Sequence, residues 1–322
     1  MLRRNPIPPN IKFSNYNNNN LHEYDPYIKK DNKVIIDIDW WNTLTLYIKD
    51  LIKSRINNFE LDKIEVPHPY IEDDEMTDIY QGYLDGFDYN IWYSNDIPNG
   101  PKGIIMIEIP NWIKKILVES KKSNIEDLGF WDNYIAALML LKYKISDSLV
   151  SGTEYFLRLS GTSGKNEQAP RPFSKPEDIL AHLLKLNIIF TREYKRSKPT
   201  YIILIPWNDN IDVRNEFRIF VVNNKLSCAS PQRWWEVHNY SPDELEYIEK
   251  ALNNIKFIGK IPYNTFVADV YINHKSCNLI ELNPFGAHCG AGSSLFNWID
   301  DYDQLHGKCN NSELRYLSII KY

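Results

Sequence analysis

The residues with the plainest chemical meaning lie near the carboxy-terminal end, in "FVADVYINHKSCNLIELNPFG" (266–286). Alternating apolar residues mark two strands separated by the polar stretch 273–277. Side chains of a strand point alternately to opposite faces, and residues opposite each other in an antiparallel pair share a face. A five-residue turn over 273–277 sets Asp269 opposite Glu281, with Asn283 one step along the same face. Phe266, Ala268, Val270, Ile272, Ile280 and Leu282 fall on the other face and form a surface that must be buried. Two carboxylates and a carboxamide are hard oxygen donors, the set that Mg²⁺ takes together with water and phosphate oxygens. The plainer alternative is the wetted side of an amphipathic hairpin, and the hairpin alone does not choose between the two.

Other stretches supply the positive charge that a phosphate ligand needs. "FLRLSGTSGK" (156–165) puts Arg158 at a strand end and Lys165 across a Gly/Ser loop whose backbone N–H groups can meet phosphate oxygens. This is not a Walker A sequence, and by itself it reads as a surface turn with two solvated cations. In "EFRIFVV" (216–222) alternation puts Glu216 and Arg218 on one face, as a surface ion pair or as an arginine aimed into the same cleft. His288, Cys289, His306 and Cys309 have the atoms for a zinc site, but their spacing fits no common zinc module, so they are read as ordinary loop residues. The acidic run in "HPYIEDDEMTDIYQGYLDG" (68–86) is read as the solvated start of a helix rather than a cation site.

These residues need elements to hold them. Patterning predicts strands at 34–38, 103–110, 153–160, 201–207, 216–222 and 225–230 and the hairpin at 265–283. Helices are expected at 43–57, within 68–86, at 111–121, 131–144, from after "SKPED" (174–178) to about 186, and near 242–254. Late strands joined by tight turns favour α+β with antiparallel sheets over a doubly wound parallel sheet. The expected organisation is a polar Asn/Pro-rich tail (1–30), an extension of one strand plus helices (31–87), two lobes (88–205 and 206–305) and a tail (306–322).

Composition sets the outer bounds. A chain of 322 residues and 38.0 kDa with 43% hydrophobic residues can bury a sizeable core. Its net charge of −5 carries no basic footprint for nucleic acid. Four scattered cysteines without a CxxC pair suit a reducing compartment. No apolar run approaches the ~20 residues that span a bilayer, and no signal peptide is recognised at the start, so a soluble, cytoplasmic monomer without membrane contact is expected.

Taken in order, "NEFRIFVV", "PQRWW", "FVADVYI" and "LIELNPFG" followed by "SSLFNW" resemble the cell division cycle protein 123 family, a divergent branch of the ATP-grasp fold. "IWYSNDIPNGPKGIIMIEIP" (91–110) is similar to that family's opening strand, and the likeness runs over about 90–300. The resemblance implies a two-lobed ATP-grasp-like fold with antiparallel sheets and ATP between the lobes. Asp269, Glu281 and Asn283 would then hold Mg²⁺, Arg158 and Lys165 would meet the phosphates, and Arg218 would reach the phosphate end. The backbone of Leu204, Ile205, Pro206 and Trp207 would be the hinge that reads adenine, with Gln232 and Arg233 matching the family's Q-R pair. Glu281 stands where the family has Asp, Arg158 where it has Lys, Pro231 splits the S-Q-R run, and "AHCGAGSS" (287–294) departs from the family's stretch after Phe-Gly. Trp234 and Trp235 also depart, and core is the favoured reading for them over partner surface. The implied function is a chaperone that assembles eukaryotic translation initiation factor 2 by binding its gamma subunit. An ATP-grasp ligase or phosphotransferase acting on a carboxylate or protein acceptor is the alternative.

Overall fold

The computed structural model describes residues 3–7, 27–30, 33–43, 46–53, 59–62, 83–120, 128–161, 171–185, 199–212, 214–274, 276–286, 292, 294–298 and 300–318. Lys165, His288, Cys289, the polar run 15–20 and most of the helix expected within 68–86 lie outside these residues. In chain order the strands are β1 (Arg3–Ile7), β2 (Tyr27–Lys30), β3 (Lys33–Asp37), β4 (Phe59–Asp62), β5 (Ile105–Ile109), β6 (Tyr155–Leu159), β7 (Thr200–Pro206), β8 (Glu216–Val222), β9 (Lys225–Pro231), β10 (Phe266–Ile272), β11 (Cys277–Asn283) and β12 (Glu313–Leu317). The helices are α1 (Ile38–Thr43), α2 (Leu46–Lys53), α3 (Tyr89–Trp92), α4 (Asn111–Glu119), α5 (Leu128–Ser148), α6 (Pro176–Lys185), α7 (Pro242–Leu252) and α8 (Tyr302–Leu305). The expected α+β class with antiparallel sheets is what the chain adopts.

Two compact units divide the chain. The smaller holds residues 88–95 and 101–209; the larger holds 1–87, 96–100 and 210–322. In the smaller unit β7 is the centre of a three-stranded antiparallel sheet in the order β5-β7-β6. Strand alternation sends Ile107, Ile109, Leu157, Leu159, Ile202 and Leu204 to one face, where they share a core with Ile113 and Leu117 of α4, Leu141 and Ile145 of α5, and Ile179 and Leu183 of α6. All of these side chains are buried, so the three helices cover that face by supplying one apolar stripe each.

The larger unit is built on a six-stranded sheet in the order β1-β12-β9-β8-β10-β11. Its β8–β9 and β10–β11 pairs are antiparallel hairpins, whereas β12 runs parallel to both β9 and β1. Parallel neighbours must come from distant sequence, and that explains why 306–322 and the first residues read as tails: their strands have no hairpin partner beside them. A second sheet, β2-β3-β4, takes β2 from the end of the stretch expected to be a tail and β3 and β4 from the extension. The helix expected over 43–57 is present as α2 within its described part, and α1, which ends where that span begins, is additional. Helix α7 opens on a capping box in which Ser241 accepts the Glu244 N–H and Glu244 accepts the Ser241 N–H.

Candidate functional site: a polar row across four strands

The β10–β11 hairpin reaches the expected register by an unexpected route. Asp269 faces Glu281 and Val267 faces Asn283, but the loop closes one residue earlier, with Ile272 opposite Cys277. Asn273 closes it: its N–H donates to the Ser276 carbonyl, and its Oδ1 accepts the Ser276 N–H at 2.9 Å. A bulge between Asp269 and Val270 then leaves Ile280 without an opposite residue and restores the pairing beyond it. Leu279, 2% exposed, therefore takes the place expected for Ile280 opposite Val270.

Strand β8 brings the third group. Arg218 faces Asp269 on one side and Ser230 of β9 on the other, so Ser230, Arg218, Asp269 and Glu281 form one row across four strands. Arg218 donates from Nε to Asp269 Oδ1 at 2.8 Å and from Nη2 to Oδ2 at 3.0 Å, the bidentate fork that guanidinium geometry favours. Gln232 Nε2 donates to the same Oδ2 at 3.3 Å, and Arg218 Nη1 donates to the Gly292 carbonyl at 3.4 Å. Gly292 holds that carbonyl with φ of +67°, a conformation that favours glycine. The ion pair at its centre is largely buried, with Arg218 and Asp269 side chains only 14% and 5% exposed. Burial works against the Arg218 charge, but Asp269, backed by Glu281 and Glu216, outweighs it and raises the guanidinium pKa above its ordinary value. The arginine is therefore a permanent cation in the row.

Three polar atoms around this pair have no hydrogen-bond partner: Ser230 Oγ, Gln232 Oε1 and Asn283 Nδ2. Buried polar groups are nearly always paired, so these three atoms leave hydrogen-bonding capacity unmet around the ion pair. Farther along the same face the character reverses. Phe220, Val267 and Cys228, two residues on from Arg218, Asp269 and Ser230, are fully buried in a core with Phe285, Phe296, Trp298 and Leu305. Tyr83 fixes the strand exit, donating to the Phe285 carbonyl and accepting its N–H, each at 3.0 Å.

The other expected residues lie elsewhere. Arg233 pairs with Glu236 at 2.9 Å on the surface and makes no bond to the row, so of the Q-R pair only Gln232 reaches Asp269. Trp235 is 60% exposed and meets Trp234 edge-on, which corrects the core reading for Trp235. Arg158, in the smaller unit, is 4% exposed, with its guanidinium 4.7 Å from the Tyr89 ring centroid and its Nε bonded to the Leu159 carbonyl. Leu204, Ile205 and Pro206 form the end of β7, and Trp207 donates its N–H to the Glu154 carbonyl at 2.8 Å. The β5 ladder stops at Leu204, so beyond it β7 has a strand partner on the β6 side alone. Among the described residues, which do not include His288 and Cys289, there is no cluster of three or more His, Cys, Asp and Glu. None of the described helices is long and apolar enough to cross a membrane. A cavity of about 690 Å³ lies at the other end of the β8–β9 hairpin, lined by Lys225, Asn253 and Lys308 among others, and shares no residue with the row.

Sequence reasoning found Asp269, Glu281, Asn283, Arg218 and Gln232 but missed Ser230 and Gly292. A tight β8–β9 turn alone would set Ala229 opposite Arg218; the bulge between Phe220 and Val221 shifts the register by one and brings Ser230 there, which patterning does not signal. Gly292 sits in the stretch where the family likeness is thinnest.

With this geometry in hand, the chain can be compared with known proteins. Two solved structures share its fold. Cdc123 from Schizosaccharomyces pombe is 19% identical, with a TM-score of 0.52, over 73% of this chain and 96% of that one. A C-terminally truncated form of the same protein is 18% identical, with a TM-score of 0.53, over 74% and 97%. The chain is thus an α+β protein with the fold of Cdc123. The sequence model of the D123 family matches residues 176–320, which include every member of the polar row, and the resemblance to the cell division cycle protein 123 family stands. No curated protein sequence matches the chain.

Proposed function

We propose that this protein binds Mg-ATP through the polar row and acts in the cytoplasm as an assembly factor for translation initiation factor 2, engaging the gamma subunit. The observation that carries the nucleotide reading is the three orphaned polar atoms gathered around the buried Arg218–Asp269 pair. The chaperone reading rests on the D123 match over the same residues.

The donor set fits a hard cation. The bidentate arginine uses one lone pair on each Asp269 oxygen and Gln232 takes the second on Oδ2, which leaves one on Oδ1 for another partner. Glu281 adds a carboxylate directly opposite, and Asn283 lies two residues farther along β11 on the same face. These three residues would hold Mg²⁺, which when bound would neutralise phosphate charge. Arg218 holds Asp269 in one orientation and adds fixed positive charge beside it. Gln232 has an acceptor oxygen to spare for a ligand hydroxyl or a metal-bound water. Arg158 and the Leu204–Trp207 backbone of the smaller unit are proposed nucleotide contacts by resemblance alone. A ligase or phosphotransferase would draw on Arg218 and Arg233 to stabilise a transferring phosphoryl group, but Arg233 is committed to Glu236.

The test mixes the full chain with purified eukaryotic translation initiation factor 2 gamma subunit, with and without Mg-ATP. Capture by the wild type that weakens on Asp269→Ala is expected. No capture under conditions where Mg-ATP binds would overturn the assembly reading.

A further inference from the structure

Helix α5 spans 21 residues and buries one face, through Ala137, Leu141 and Ile145, in the core of the smaller unit. Its opposite face carries Trp131, Ile135, Met139 and Tyr143, which are 40%, 54%, 68% and 66% exposed. Residues at i, i+4, i+8 and i+12 form a single ridge along a helix, here about 18 Å long at 1.5 Å per residue. Isolated exposed hydrophobes are ordinary, but four large ones aligned on one ridge form a contiguous patch of the kind that marks an interaction surface. Exposed Ala136 flanks the ridge and leaves a shallow groove beside it.

The order of chemical types along this ridge identifies its partner. It reads aromatic, aliphatic, aliphatic, aromatic, and so is the same in either direction about Ala137. Exposed Asp132 lies toward one end and exposed Lys142 toward the other. A two-fold interface needs a surface complementary to itself. When two such helices pack antiparallel, Trp131 of each lies beside Tyr143 of the other, Ile135 beside Met139, and the acidic end of one beside the basic end of the other. Ridge-into-groove packing of i±4 rows is the commonest helix–helix geometry, and the Ala136 groove gives the second ridge its place. Lys142 already meets Glu177 of α6 at 2.8 Å with both side chains about half exposed, which holds the ammonium at this face without burying it.

We infer that the exposed ridge of α5 is a homodimer interface, formed by a second copy of this chain packed antiparallel about Ala137. The dimer replaces the monomer expected from the sequence and is independent of the nucleotide reading.

Sedimentation velocity of the full chain over a concentration series reads it directly. The wild type is expected to move from 38.0 kDa toward twice that mass as concentration rises through the micromolar range. Met139→Glu and Ile135→Glu, both on the surface, should each remain at 38.0 kDa with unchanged circular dichroism and melting temperature. Asp132→Lys should weaken association about tenfold, and adding Lys142→Asp should restore it. A wild type that stays at 38.0 kDa up to about 100 μM, a dimer that survives both glutamate variants, or a charge swap that fails to rescue would each overturn the proposal.

Discussion

Two buried arginine–aspartate forks stand in the same six-stranded sheet, and they differ in what surrounds them. Arg315 of β12 grips Asp301 through both terminal nitrogens at 2.7 Å, bonds Glu313 at 3.0 Å and the Leu295 carbonyl at 3.2 Å, and lies 4.2 Å from the Phe296 ring centroid. Asp301 also accepts the Asn297 N–H, so each partner of this arginine has a defined place. Arg218 grips Asp269 side-on through Nε and Nη2, and Ser230, Gln232 and Asn283 around it keep polar atoms unpaired. The first fork is closed and ties the 294–301 segment to the last strand of the sheet. The second is open. A closed network satisfies its own buried groups, whose desolvation is costly; the open one has unmet capacity that the proposed ligand would complete.

That contrast is broken most severely at the closed fork. Arg315→Ala leaves Asp301 and Glu313 as uncompensated buried charges and should cost about 3–5 kcal/mol in a denaturation experiment. Mg-ATP affinity measured below the melting transition should change little, and a large loss there would mean that the two forks are not separate in role. At the open fork, Asn283→Leu removes an orphan rather than a bond. Its stability should move by less than about 1 kcal/mol, or rise, while Mg-ATP-dependent stabilisation disappears. A loss of several kcal/mol would show that Asn283 is structural. Ser241→Ala, at the surface cap of α7, should cost about 1 kcal/mol and leaves both forks untouched. The smallest effect is acidic. Its backbone bond to Ser241 lowers the Glu244 pKa, so that contribution is fully present above the ordinary glutamate value. It is lost as pH falls through the lowered one. Glu244→Gln should flatten that part of the stability curve, and an unchanged curve would dismiss the cap as its cause.

Much of the open fork was legible because it is built from local hairpins. Alternation in "FVADVYI" and "NLIELN" is enough to place Asp269, Glu281 and Asn283 on one face, and a bulge at Ile280 offsets the one-residue error in the loop. The bulge itself leaves no mark that patterning detects, since Leu279 and Ile280 are equally apolar. Arg218 could be assigned to a face but not to a neighbour, because β8 meets β10 across more than 40 intervening residues. The closed fork was invisible for the same reason in stronger form: β12 joins β9 and β1 in parallel, and no short turn announces either pairing. Likewise, the apolar ends of β8 and β10 on the site face, Phe220 and Val267, looked like ordinary strand residues until Phe285, Phe296 and Trp298 were seen to cover them.

The central claim is that the open fork is a Mg-nucleotide site. Titration calorimetry of Mg-ATP into the wild type, Glu281→Gln and Asn283→Ala tests it most directly. The account predicts saturable, Mg²⁺-dependent binding to the wild type that weakens at least about tenfold in each variant. A wild type that gives no Mg-ATP binding, or variants that bind as tightly as the wild type, would contradict it.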